Sequence, residues 1–282
     1  MRTVIFIILM TCCSMSIAQT CEGGWSVSSS SNHSIRHSKD YSAWLLLSVN
    51  LDKELRSCIE SVFIAPSSGS RIQFRSGSVM LLAEVIDSQY KRARAKTTLG
   101  YQFSYSAMPK MQFWVKVPNA DYADPGSYNS NVEITLQGKS YQVTKTVPIN
   151  FKVDSKVSLD ILTAGYANIS GSGTNFTVDF GELKKGVSRT IMVSLLSNAQ
   201  VTMDLKMEHG HFQSTTSTQD IVPYSLTVNG RAVSGKKVNN LMVKQSMGKA
   251  RVNVPVRVEV LDTDHAYAGK YQERLTIQVN AR

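Results

Sequence analysis

The chain has 282 residues, with 31 Lys or Arg against 21 Asp or Glu, a formal charge of +10 and 42% hydrophobic residues. That length accommodates one large or two ordinary domains. A basic balance suits nucleic acid, an anionic surface or an acidic glycan, and the amino terminus removes the first of these.

There, Arg2 precedes an unbroken apolar run from Val4 to Met10, and Ser16-Ile17-Ala18 puts small side chains where a signal peptidase reads. The pattern predicts a secretory signal peptide over 1–18. Its run is too short for a bilayer anchor, which needs about 20 residues. No later stretch is long and apolar enough to cross a membrane, so an exported, soluble mature chain is expected. Cys12 and Cys13 leave with the signal. Cys21 and Cys58 remain, and an even pair in an exported chain predicts a disulfide.

Along the mature chain, short helices are expected near Leu51 to Cys58 and Leu82 to Tyr90. Lys91-Arg92-Ala93-Arg94-Ala95-Lys96 is the one dense basic cluster, read as a charged edge or loop that blocks aggregation, or alternatively as a contact for an anionic ligand. Met108-Pro109-Lys110-Met111 falls between two strands. Met108, Pro109 and Met111 are the candidate adhesive loop, since an exposed apolar tip suits attachment. Trp25, Trp44 and Trp114 all lie in the first half, with Trp114 expected in the core.

Period-2 alternation dominates the rest: Gln112 to Val117, Val132 to Leu136, Lys145 to Val153, Ser188 to Leu195, Val201 to Met207 and Val252 to Val260. These read as half-buried strands. Turn signals such as Gly171-Ser172-Gly173 and Asn229-Gly230 separate them. Many short strands so spaced predict an all-β chain of two immunoglobulin-like sandwiches in tandem.

A repeat sets the boundaries. Asp121-Tyr122-Ala123-Asp124-Pro125-Gly126-Ser127-Tyr128 is matched, 143 positions on, by Asp264-His265-Ala266-Tyr267-Ala268-Gly269-Lys270-Tyr271. The apolar positions of the flanking strands coincide too. The expected domains are 19–153 and 154–282, joined by Asp154-Ser155-Lys156. After Leu136 the first copy turns and makes one more alternating strand, Ser140 to Val153. After Val279 the second has only Asn280-Ala281-Arg282, so the second sandwich is expected to be incomplete, lacking its last strand. That leaves an apolar strand-acceptor groove lined by Leu275, Ile277, Val279, Val157, Leu159 and Ile161, and an unpaired edge that a strand from another protein would cover.

The Ala-Gly-x-Tyr opening of the terminal strand, Ala268-Gly269-Lys270-Tyr271, and the segment Phe176-Thr177-Val178-Asp179-Phe180-Gly181-Glu182-Leu183 resemble those of chaperone–usher pilins, of the spore-coat-U-like archaic class or the colonisation-factor fimbrial type. The resemblance implies a two-domain tip adhesin that passes through the periplasm to the cell surface. Its implied partners are a periplasmic chaperone, an outer-membrane usher, an adjacent pilin subunit and a surface or glycan ligand, with no nucleic acid. Ordinary pilins also carry a donor extension before the first domain, and none is read here, which implies the distal position. The alternative is a periplasmic assembly chaperone, also two immunoglobulin-like domains; an exported enzyme or carbohydrate-binding module is a third reading.

No catalytic constellation is read, so no enzyme and no cofactor are expected: there is no Gly-x-Ser-x-Gly elbow, phosphate loop or His-Glu-x-x-His. His209 with His211, and His33 with His37, each lack a third metal ligand nearby, and no metal site is expected.

Overall fold

The computed structural model describes residues 21–32, 42–89, 95–97, 100–105, 107–163 and 168–282. The predicted signal peptide, His33, His37 and residues 91–94 of the basic cluster lie outside them.

The first ten strands are β1 (Trp25–Asn32), β2 (Ala43–Leu51), β3 (Ser61–Pro66), β4 (Ile72–Ser76), β5 (Val79–Asp87), β6 (Ala95–Thr97), β7 (Gly100–Ser104), β8 (Lys110–Val117), β9 (Gly126–Gln137) and β10 (Gln142–Val153). One helical turn, α1 (Lys53–Arg56), follows β2, and a short 3-10 turn (Ala120–Tyr122) precedes β9. Successive side chains of a strand point to opposite faces. In β2 the inward set is Leu45, Leu47, Val49 and Leu51; in β8 it is Phe113, Val115 and Val117; in β9 it is Tyr128, Val132, Ile134 and Leu136, and all are buried. The layer β1-β2-β8-β5 closes over the layer β10-β9-β3-β7-β6, with β4 passing between them through the single pair Arg75–Asn129.

The second sandwich holds β11 (Val157–Leu162), β12 (Ile169–Ser172), β13 (Asn175–Val178), β14 (Ser188–Ser197), β15 (Val201–Met207), β16 (Phe212–Ser214), β17 (Ile221–Val222), β18 (Tyr224–Val228), β19 (Arg231–Val233), β20 (Lys237–Lys244), β21 (Ala250–Val260), β22 (Tyr271–Gln272) and β23 (Leu275–Ala281). Its layers are β11-β14-β21-β18-β19 and β20-β15-β23, around a core that includes Val193, Leu195, Met203, Leu205, Val254 and Val256. The connectivity of the first sandwich recurs: β1-β2-β8-β5 returns as β11-β14-β21-β18, and β9-β3-β7 as β23-β15-β20. Asn229 and Gly230, at φ 49° and 77°, form the two-residue turn between β18 and β19. Positive φ at both central residues gives the twist a tight hairpin needs, which is why Asn-Gly stands there.

Two expectations are corrected. The stretch from Leu82 is not helical, because Val79 to Asp87 is strand β5, hydrogen-bonded to β4 and β8, and Tyr90 lies outside the described residues. Val79, Leu81, Ala83 and Val85 face the core while Met80 and Leu82 are exposed; apolar residues on both faces hid the alternation. Trp114 alternates with Phe113 and Val115 and so lies on the outer face, half-buried, edge-on to Trp44 with ring centroids 6.1 Å apart.

Cys21 and Cys58 form a disulfide, Cα atoms 5.9 Å apart, pinning the chain ahead of β1 to the end of α1. Leu55 of that turn is fully buried. Replacing both cysteines by serine is expected to cost about 2–5 kcal/mol. Thermal melts check this: the difference between parent and variant should vanish when both are measured in reductant.

Candidate strand-acceptor groove

The two copies of the repeated hairpin end in the same bond. Tyr128 Oη donates to the Asp124 carbonyl at 2.9 Å, and Tyr271 Oη donates to the Tyr267 carbonyl at 2.8 Å. In each, the tyrosine ties the start of its strand to the preceding turn. Burial raises the Tyr128 phenol above its ordinary pKa, with the Asp124 carboxylate adding to the effect.

Beyond that bond the copies diverge. β9 pairs with β3 on one side and β10 on the other. Ile149, Phe151 and Val153 of β10 are buried. Phe151 stacks on Tyr128 at 5.3 Å and meets Phe74 edge-on at 5.0 Å. β10 also reaches β1: Lys145 Nζ donates to the Trp25 carbonyl and lies 4.5 Å from the Trp25 ring centroid. The strand therefore fills the slot between β1 and β9, and Val132, Ile134 and Leu136 are fully buried behind it.

In the second sandwich β23 pairs only with β15, and β11 only with β14, among the described residues. β11 and β23 approach each other directly, and among the described residues no strand lies between them. Leu275, Ile277 and Val279, which stand 143 positions after Val132, Ile134 and Leu136, are half-buried instead of sealed. Val157 and Ile161 on the opposite wall are half-buried too, and Leu159 between them is 36% exposed. Five of the six, Val157, Ile161, Leu275, Ile277 and Val279, pack against the same core, and Leu159 does not. Unpaired strand edges beside half-covered apolar side chains are, in general, where an added strand can pair.

No protein family matches this chain, and no curated protein does. Solved structures do. The complex of CsuC with CsuE, chaperone and tip adhesion subunit of the archaic chaperone-usher Csu pili of Acinetobacter baumannii, aligns over 82% of this chain and 88% of that one, at 14% identity and TM-score 0.44. CfaE, the adhesive subunit of CFA/I fimbria of enterotoxigenic Escherichia coli, aligns over 78% and 81%, at 10% identity and TM-score 0.30. AggA, the major subunit of aggregative adherence fimbriae type I from Escherichia coli, aligns over 47% and 95%, at 8% identity and TM-score 0.34. Its structural neighbours include pilus tip adhesins and fimbrial subunits.

Away from the groove, Met108 is 56% exposed and Pro109 is exposed, in the turn that leads into β8. Tyr105 Oη donates to the Met108 carbonyl at 2.8 Å, and Leu51 N donates to the Pro109 carbonyl at 3.0 Å, so both residues stand on a fixed backbone. Met111 is already within β8, half-buried against the core. The basic cluster contributes Ala95 and Lys96 to β6.

His209 and His211 border a cavity of about 500 Å³ with Met207, Tyr224, Val233 and Lys236. Their rings lie 5.9 Å apart, and no group of three His, Cys, Asp or Glu suited to a metal occurs among the described residues. The residue that places them escaped the sequence reading. The Glu273 carboxylate accepts from the backbone amides of Glu208, His209, Gly210 and His211 at 2.7–3.3 Å. Such a nest of amides suits an anion, and here the chain's own carboxylate fills it. Burial, with Glu273 adding, pushes the Tyr224 phenol well above its ordinary pKa.

Proposed function

We propose that this chain is the tip subunit of a chaperone–usher pilus. Its second sandwich accepts a strand, first from a periplasmic chaperone and then from the adjacent subunit at the outer-membrane usher, while its first sandwich, 19–153, is presented outside the cell for adhesion. The observation that carries the reading is internal: β9 has β10 beside it, and β23, its counterpart in the repeat, has no strand in that place among the described residues. A strand supplied there would cover Leu275, Ile277, Val279, Val157, Leu159 and Ile161 at once. The neighbours' assembly into pili is in keeping with it. The exposed Met108–Pro109 turn is the apolar tip offered to a surface.

Co-expression tests the acceptor role. The exported chain, produced with an archaic-type pilus chaperone, is expected to purify as a one-to-one complex, and Ile277→Asp is expected to abolish it by putting a charge into the slot. A chain that is monomeric and stable alone, and that ignores the chaperone, would remove the reading. For the adhesive role, Met108→Asp is expected to lower retention on polystyrene beads several-fold with the thermal midpoint unchanged. Equal retention would discharge that turn from adhesion.

A further inference from the structure

The two sandwiches meet in a polar junction built from turns. The first brings Asn119 to Asp124 and the Asp154 carbonyl; the second brings the turns around Asn198 and Gly248. Asn198 stands at the centre and is 1% exposed. Its Nδ2 donates to the Ala123 carbonyl at 2.9 Å and to the Asp154 carbonyl at 3.1 Å. Its Oδ1 accepts from the Lys156 amide at 2.8 Å. One buried side chain thus binds the first sandwich, the connecting segment and the second sandwich.

The turns behind it are braced as well. Gly248 N donates to the Asn198 carbonyl at 3.0 Å. Lys244, also buried, points Nζ at the carbonyls of Ala199 and Gly248, each at 3.0 Å, and at that of Ser246. At the rim, Lys156 Nζ lies 3.0 Å from Asp121 Oδ1, and Lys249 Nζ lies 3.4 Å from the Tyr122 ring centroid. A buried amide whose two donors and acceptor are all engaged leaves few alternative arrangements of the groups around it, because each would strand a polar atom away from water.

We propose that this junction is a rigid joint, which fixes the angle between the sandwiches and delivers tension or torque from the second to the first without a swivel at 154–156. The walls of the groove run into it. β11 starts at Val157, directly after Lys156, and β23 ends at Ala281 opposite Val201, with Arg282 N donating to the Gln200 carbonyl at 2.9 Å. A strand seated between those walls therefore pulls on elements anchored at Asn198. The joint does not depend on the groove being filled, so it can fail or stand independently of the pilus reading.

Distances between spin labels test it. Labels at Ser68→Cys and Arg231→Cys, both exposed, report across the junction in the full mature chain, and Ser68→Cys with Lys139→Cys reports within the first sandwich. With Asn198 intact, the distribution across the junction is expected to be single and about as narrow as the control. Asn198→Ala is expected to widen it at least threefold with the control unchanged. Should Asn198→Ala disturb the control, the paired rim change Lys156→Ala and Lys249→Ala, on exposed side chains, is expected to widen it by a smaller factor. A broad distribution in the parent overturns the proposal, as does a width that neither variant alters.

Discussion

Appending the protein's own β10 to the end of β23 is expected to raise the thermal midpoint of the second sandwich by at least about 10 °C. The variant places residues 138–153 directly after Asn280, which the repeat aligns with Gln137. In the first sandwich Val143 stands opposite Leu136, Val147 opposite Val132 and Phe151 opposite Tyr128. Carried over 143 positions, the same side chains would face Val279, Leu275 and Tyr271. Each apolar side chain brought from water to full burial contributes about 1.5–3 kcal/mol before the cost of ordering the new strand. A net gain of only about 3 kcal/mol already moves the midpoint of a domain this size by more than 10 °C. The copy of Lys145 is best changed to leucine, since it would lie opposite Ile277 in an apolar slot. Calorimetry measures the gain, and size-exclusion chromatography should show a monomer. The control carries the same residues shifted by one position, which turns every apolar side chain to the wrong face. Equal behaviour of the two variants would mean that β23 offers no specific place for a strand.

The expectation concerns solubility as much as heat resistance. An unpaired strand edge beside half-covered apolar residues pairs with whatever edge it meets, including that of a second copy. The appended strand removes the free edge and the apolar slot together. A substitution that only made the slot more polar would leave the edge.

Much of this was legible because strand periodicity is a local signal. The inward sets of β2, β8 and β9 alternate without a break, and Asn229-Gly230 encodes its own turn. The repeat carried further, since equal letters at equal spacing matched the terminal hairpins of the two sandwiches. Those letters do not all do the same work. Tyr128 and Tyr271 make the same hydrogen bond. Gly126 has φ 152°, a conformation L side chains rarely adopt, and a Cβ there would lie 2.7 Å from Ser76 Oγ, whereas Gly269 has open space around it. One shared glycine is required and the other is not. What stayed hidden depends on partners distant in sequence. Asn198 looks like any turn asparagine until Ala123 and Asp154 are brought to it. Glu273 looks like an exposed strand residue, yet it fills a nest of amides more than 60 positions earlier in the chain. Periodicity also fails where both faces are apolar, as in β5, since the pairing with β4 and β8 decides which face is the core.

Truncating the two isoleucines at the same place in the repeat is expected to give unequal losses. Ile134 is fully buried between β3 and β10, opposite Ile64 and Lys145. Among the described residues Ile277 stands opposite Leu205 on one side only, and it is half-buried. Ile134→Ala removes the transfer energy of three carbons and leaves an enclosed cavity, a loss of about 2–5 kcal/mol. Ile277→Ala removes less buried area and opens onto a slot that is already accessible, so only the area term remains, about 1 kcal/mol. Once a strand occupies the slot, the surroundings of Ile277 become those of Ile134, and its truncation is expected to cost as much. Denaturant unfolding of the four variants, Ile134→Ala and Ile277→Ala each with and without the appended strand, separates the outcomes. The loss at Ile134 should be indifferent to the strand, and the loss at Ile277 should at least double with it. If Ile277→Ala is already as costly as Ile134→Ala in the unmodified chain, the slot is closed in solution by the protein itself, and a donor from another subunit has nothing left to cover.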